Sequence, residues 1–130
     1  VAKRPSLAKS ELEVARIVWN LGSASVRQVL EAMPADRGLD FKTVQTYLRR
    51  LEAKGYLRTR TEGRTKIYTA KVRPQQVVHQ VIDDMLRLLF GGESLPLIQH
   101  LVEERGLSDV EFEQLRNLLD QAEDQKHESD

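Results

Sequence analysis

Apolar residues recur at helical spacing in three stretches near the start of the chain. Between Lys9 and Leu21, Val14, Ile17, Val18 and Leu21 form one stripe while Leu12, Ala15 and Trp19 form a second, which predicts a helix buried on most of its surface. Trp19, the only tryptophan, reads as core rather than as a ligand platform. Gly22 ends this helix. Ser25-Val26-Arg27-Gln28 then has the form of a capping box, in which the Ser and Gln side chains satisfy free N–H groups of a new first turn. Val26, Val29, Leu30 and Met33 follow at spacings of three, one and three until Pro34 stops the helix, with Arg27 and Gln28 pointing outward. A polar turn over residues 34–39 leads to Asp40, whose carboxylate suits an N-cap. Val44, Tyr47, Leu48 and Leu51 give the third helix its inward stripe, and Gly55 suits the left-handed residue that ends it.

The period then changes from helical to two. Tyr56 to Glu62 and Arg64 to Ala70 alternate broadly around Glu62-Gly63, which predicts an antiparallel hairpin. Three helices followed by a hairpin make a winged helix-turn-helix. Beyond Pro74 the period is helical again. Val78, Val81, Ile82, Met85, Leu86 and Leu89 form a wide stripe up to Gly91-Gly92. Leu97, Ile98, Leu101 and Val102 mark a helix over Ser94 to Arg105. After a second capping box at Ser108-Asp109-Val110-Glu111, Phe112, Leu115, Leu118, Leu119 and Ala122 mark another. Three short amphipathic helices cannot readily bury such faces alone, so a second copy of the chain is expected to cover Val81, Ile82, Met85, Leu89, Leu97, Ile98, Leu101, Phe112, Leu115, Leu118 and Leu119. The predicted fold class is mainly α with a small β-hairpin: a winged-helix domain over 1–73 and a helical dimerisation region over 74–130. The ends, Val1 to Ser6 and AEDQKHESD, are expected to be mobile and to fray.

Opposite the core stripe of the third helix lie Lys42, Thr46, Arg49 and Ala53, flanked by Thr43, Gln45 and Arg50. Arg to guanine, Gln to adenine, and Thr to a base edge or a thymine methyl are pairings that the major groove permits. A solvated helix face is the bland reading, and the hairpin argues against it, since Arg60, Arg64 and Lys66 place a second set of cations beside the helix. Charge sharpens this picture. The whole chain balances 20 basic against 20 acidic residues, but up to Val78 there are 16 basic and 7 acidic, and beyond it 4 basic and 13 acidic. The first part suits a polyanion and the second would be repelled by one.

Other chemistries fit poorly. With no cysteine there is no disulfide framework and no thiolate metal site, and His79, His100 and His127 fall on separate elements, so no metal or cofactor is expected. No base and orienting acid accompany the Ser and Thr residues, and no phosphate-cradling Gly-rich loop appears, so an enzyme is not expected. No apolar run could cross a bilayer and VAKRPS has no signal core, which points to a cytoplasmic protein. The alternative to DNA is a winged helix that serves as a protein-protein interaction module.

The segments LAKSELEVARIVWNLGSASVRQVLEAM, FKTVQTYLRRLEAKGYL, GRTKIYTAKV and FGGESLPLIQHLVEE resemble the winged-helix repressors of the penicillinase and methicillin-resistance regulator family. The resemblance covers nearly the whole chain. It implies a homodimeric repressor on a double-stranded DNA operator with half-sites of the TACA and TGTA type. Carried to matching positions, its helix contacts fall at Lys42, Thr43, Gln45, Thr46 and Arg50, with wing contacts around Arg60, Arg64 and Lys66. Relatives that answer to β-lactams are cut in the dimerisation region after a membrane sensor is triggered, and the matching bond is near His100-Leu101, set against the reading that this is ordinary helix in the dimer core. Copper-sensing relatives carry a C-terminal cysteine cluster, which this chain lacks. One departure is Ala8, where Ser or Thr is usual, and this weakens the first N-cap.

Overall fold

The computed structural model describes residues 4–129; Val1 to Lys3 of the expected arm and Asp130 of the tail lie outside them. The chain divides into two compact units, up to Gln80 and from Val81 on. In the first, α1 (Lys9–Leu21), α2 (Val26–Ala32) and α3 (Phe41–Ala53) pack together beside a three-stranded antiparallel sheet of β1 (Ser23–Ala24), β2 (Leu57–Glu62) and β3 (Thr65–Ala70), in the order β1-β3-β2. Val14, Val18, Val29, Val44, Leu48 and Leu51 are fully buried, and Leu57 and Tyr68 bring the sheet into the same core. Burial of each such leucine is worth about 1.5–3 kcal/mol, enough for these few residues to decide whether the unit folds.

Helix starts follow the caps. Ser25 Oγ accepts from the Gln28 N–H at 3.2 Å while Gln28 Oε1 accepts from the Ser25 N–H at 2.8 Å, and Asp40 Oδ1 accepts from the Thr43 N–H at 2.8 Å. Ala8 has no side-chain acceptor to offer, but Glu11 supplies the other half of the box, its Oε1 accepting from the Ala8 N–H at 2.8 Å. The hairpin register runs from Leu57 opposite Ala70 to Glu62 opposite Thr65, so the tight turn is Gly63-Arg64, with Gly63 at φ +62°, rather than Glu62-Gly63.

Several expectations are corrected. Arg4 to Ser6 are not a loose arm: Arg4 Nε donates to the Gly55 carbonyl at 3.2 Å, Tyr56 Oη to the Pro5 carbonyl at 2.7 Å and Lys54 Nζ to the Ser6 carbonyl at 3.0 Å. Leu21, at the end of its stripe, is half exposed, and Trp19 and Tyr47 are only partly buried. Strand β1 and a 3₁₀ turn at Ala35–Arg37, tied to α1 by Arg37 and Glu13 at 2.9 Å, carry no periodicity that could announce them.

The second unit begins inside α4 (Pro74–Phe90) and continues through α5 (Leu95–His100) to α6 (Asp109–Ser129). The helix expected over Ser94 to Arg105 is not uniform: α5 stops at His100 and Leu101–Arg105 form a π-helical turn. Ser108 and Glu111 form the second capping box, each accepting from the other's N–H at 3.2 Å. The tail is helical, because α6 runs on to Ser129 with no Gly or Pro to break it. Among the described residues none from Val81 on is buried; in α4 the buried side chain is Val77, not its neighbour Val78.

Candidate nucleic-acid interface

The end of α3 is held by a buried carboxylate. Glu11 is 1% exposed, and its Oε1 lies 2.6 Å from Lys54 Nζ at the C-terminus of α3. Burial, the largest influence on Glu11, pushes its pKa up. The hydrogen bonds from Lys54 and the Ala8 N–H, with the charges of Lys54 and Arg50, outweigh it and hold the carboxyl below its ordinary value. Arg4, Pro5 and Ser6 close over the same turn, so α3 is fixed at its far end by residues some fifty positions earlier. At its near end the hydrogen bonds that Thr43 donates keep Asp40 below the usual carboxylate range.

Between these ends, α3 and the wing enclose a groove of about 640 Å³ lined by Phe41, Gln45 and Arg49 from α3, Ser25, Val26 and Arg27 from the start of α2, and Arg64, Thr65, Lys66 and Tyr68 from the wing. Four cations line it and no carboxylate does. Tyr68, buried at the floor, has its phenol pushed above the ordinary value by burial and by the charge of Glu52, so it remains a neutral hydroxyl. Glu52 itself is turned to Thr59, whose hydroxyl donates to it at 2.7 Å.

The structure brings together four of the nine residues expected to meet DNA: Gln45, Arg49, Arg64 and Lys66. Lys42, Thr43, Thr46 and Arg50 lie outside this lining. Lys42 and Arg50 are exposed, Thr43 is half-buried over the Asp40 cap, and Thr46 donates its hydroxyl to the Lys42 carbonyl at 3.0 Å. Arg60 stands apart for a period-two reason. It sits opposite Ile67 in the register, whereas Lys66 pairs with Thr61 on the other sheet face, and Arg60 is engaged with Glu62 at 2.9 Å. Arg27 and Phe41 were not among the expected site residues. The guanidinium carbon of Arg27 lies 5.5 Å from the Phe41 ring centroid, and both line the groove. The four-residue spacing of Phe41, Gln45 and Arg49 was the signal that could have found Phe41. Among the described residues no group of His, Asp and Glu could hold a metal ion, and no helix is long and apolar enough to cross a membrane.

Several known proteins resemble this chain in sequence or fold. The family model described as penicillinase repressor matches residues 7–121. A penicillinase repressor from Bacillus licheniformis is 27% identical over 126 residues, 97% of this chain and 98% of that one. An uncharacterised 16.5 kDa protein from Latilactobacillus sakei is 32% identical over 113 residues, 87% of this chain and 77% of that one. The solution structure of the DNA-binding domain of the repressor BlaI matches with a TM-score of 0.50 and 32% identity, covering 57% of this chain and 90% of that one. A MarR family protein from Bacillus stearothermophilus, at 12% identity and a TM-score of 0.53, covers 93% of this chain and 76% of that one, a likeness of fold alone.

Proposed function

The chain belongs to the penicillinase repressor family, and from that membership we propose that it is a DNA-binding transcriptional repressor that occludes its operator as a homodimer. The family is one of repressors, not enzymes. The observation that carries the reading is the groove between α3 and the wing, where Arg27, Arg49, Arg64 and Lys66 stand with Gln45 and no acid among its lining residues. Cations there bind phosphates, and α3 presents its amide and guanidinium groups to base edges in the major groove. The similarity of the first unit to the DNA-binding domain of BlaI supports this docking. We assign Lys42, Thr43, Thr46, Arg50 and Arg60 to the flanks of the same interface.

Pairing is assigned to residues 74–130, and its support is exposure. In the single chain Leu88 and Leu89 are 84% and 71% exposed, and Ile82, Ile98, Leu101, Phe112, Leu118 and Leu119 are exposed with them. Side chains this apolar cost free energy in water until a self-complementary face covers them. A two-fold dimer then calls for a pseudo-palindromic operator with half-sites about one helical turn apart, or a multiple of that.

Titration of the full chain with random and selected duplexes at several salt concentrations tests this reading. Affinity that falls steeply with salt, and that Arg49→Ala with Arg50→Ala weakens on the selected duplex, is expected. No affinity for any duplex even at low salt would overturn it in favour of a protein-binding module. The His100–Leu101 bond lies where α5 passes into the π-helical turn, and we read it as backbone of the pairing region rather than a regulatory cleavage site. A cut there in lysates of induced cells would overturn that assignment, and a full-length chain alongside derepressed target genes would support it.

A further inference from the structure

Phe41 departs from the core residues of α3. Val44, Leu48 and Leu51 are fully buried, yet Phe41 is 40% exposed. It is the first helical residue after the Asp40 cap, and steps of four carry a row from it through Gln45 to Arg49 along one side of the cationic groove. The Arg27 guanidinium lies over its ring, an attraction that orders both side chains without covering the ring. An aromatic surface left open among arginines and a lysine offers an apolar contact within a charged groove. The N-terminal residues of a reading helix are those that reach base edges, and in the major groove the bases offer donors, acceptors and one apolar group, the C5-methyl of thymine. We infer that Phe41 is a specificity-determining residue that packs on the C5-methyl of a thymine, while Arg27 holds the ring and meets the adjoining phosphate. This rests on the docking of α3 proposed above.

The test uses the full chain and the tightest duplex recovered from a random-sequence library. Each thymine is replaced in turn by deoxyuridine, which removes the methyl and leaves every hydrogen bond. Binding by the parent chain is expected to weaken about four-fold at one thymine of each half-site, the effect of about one apolar carbon leaving its contact, and little elsewhere. Phe41→Ala, which removes the contact from both half-sites of the dimer, should bind the thymine duplex about 16-fold more weakly and lose the distinction between thymine and deoxyuridine at that position. Phe41→Leu should keep most of it. Arg27→Gln should weaken binding on all duplexes and lower the slope of log affinity against log salt by about one for each protomer bound. Circular dichroism checks each fold, and if Phe41→Ala does not fold, Phe41→Gln carries the comparison. A parent chain that binds with steep salt dependence, but whose thymine-to-deoxyuridine ratio at every position is unchanged in the Phe41 variants, overturns the inference and leaves the docking of α3 standing. A parent chain that binds no duplex at low salt overturns both.

Discussion

The two compact units are written with the same alphabet and end in opposite states. Helical stripes of Val, Leu and Ile in the first unit meet one another, and Val14, Val18, Val44, Leu48 and Leu51 vanish from the surface. Stripes of the same residue types in the second find too few partners within the chain, and Leu89, Leu118 and Leu119 stay more than half exposed. Periodicity therefore tells which face of a helix seeks burial but not whose surface provides it. The charge division follows the same line: the first unit is basic and can face a polyanion, and the acidic second would be repelled by one.

Breaking the second unit should have the largest effect. Leu89→Asp with Leu118→Asp places charges on the open face, and sedimentation should find a monomer whose operator affinity is about 10²–10⁴-fold lower, because the two reading helices no longer bind as one unit. A variant that remains a dimer with parental affinity would remove this face from pairing. The converse change, Leu48→Ala, opens a cavity in the first unit and should cost about 2–5 kcal/mol in urea unfolding without altering the association state.

A smaller effect separates the arm from the core. Glu11→Gln leaves Lys54 without its anion beneath Arg4 to Ser6. Lys54 keeps 26% of its side chain in solvent, so the expected cost is about 1–3 kcal/mol, below that of a fully enclosed pair. The pH dependence has a definite sign. Because the folded carboxyl sits below its unfolded value of 4.5, its contribution is complete above that value and is lost as pH falls through the folded pKa. Urea midpoints taken across the acid range should therefore fall less steeply in Glu11→Gln than in the parent. The smallest effect belongs to a single wing cation: Lys66→Ala should weaken binding to all duplexes about equally and lower the salt slope by about one for each protomer bound. Selective loss on one sequence would instead make Lys66 a base reader.

Much of the first unit was legible because its signals are local. The bounds of α1, the box at Ser25 and Gln28, and the cap at Asp40 each lie within four residues of what they control. The docked arm was not, because Glu11 and Lys54 are 43 residues apart and neither marks the other. Arg60 was misplaced beside Lys66 although alternation along the strands already sets them on opposite faces. Phe41 was passed over because its spacing of three to Val44 and seven to Leu48 puts it at the edge of the core stripe, and periodicity does not show that it is 40% exposed there. In the second unit the π-helical turn at Leu101–Arg105 has no sequence signature, and the polar composition of the tail hid an α6 that nothing interrupts.

The most direct measurement is the mass, by sedimentation, of the complex formed when the full chain saturates a duplex carrying one selected pseudo-palindromic site. Two chains per duplex, joined in a single cooperative step that high salt reverses, are expected. One chain per duplex, or two that bind independently, would contradict pairing through the acidic helices as the device that delivers α3 to DNA.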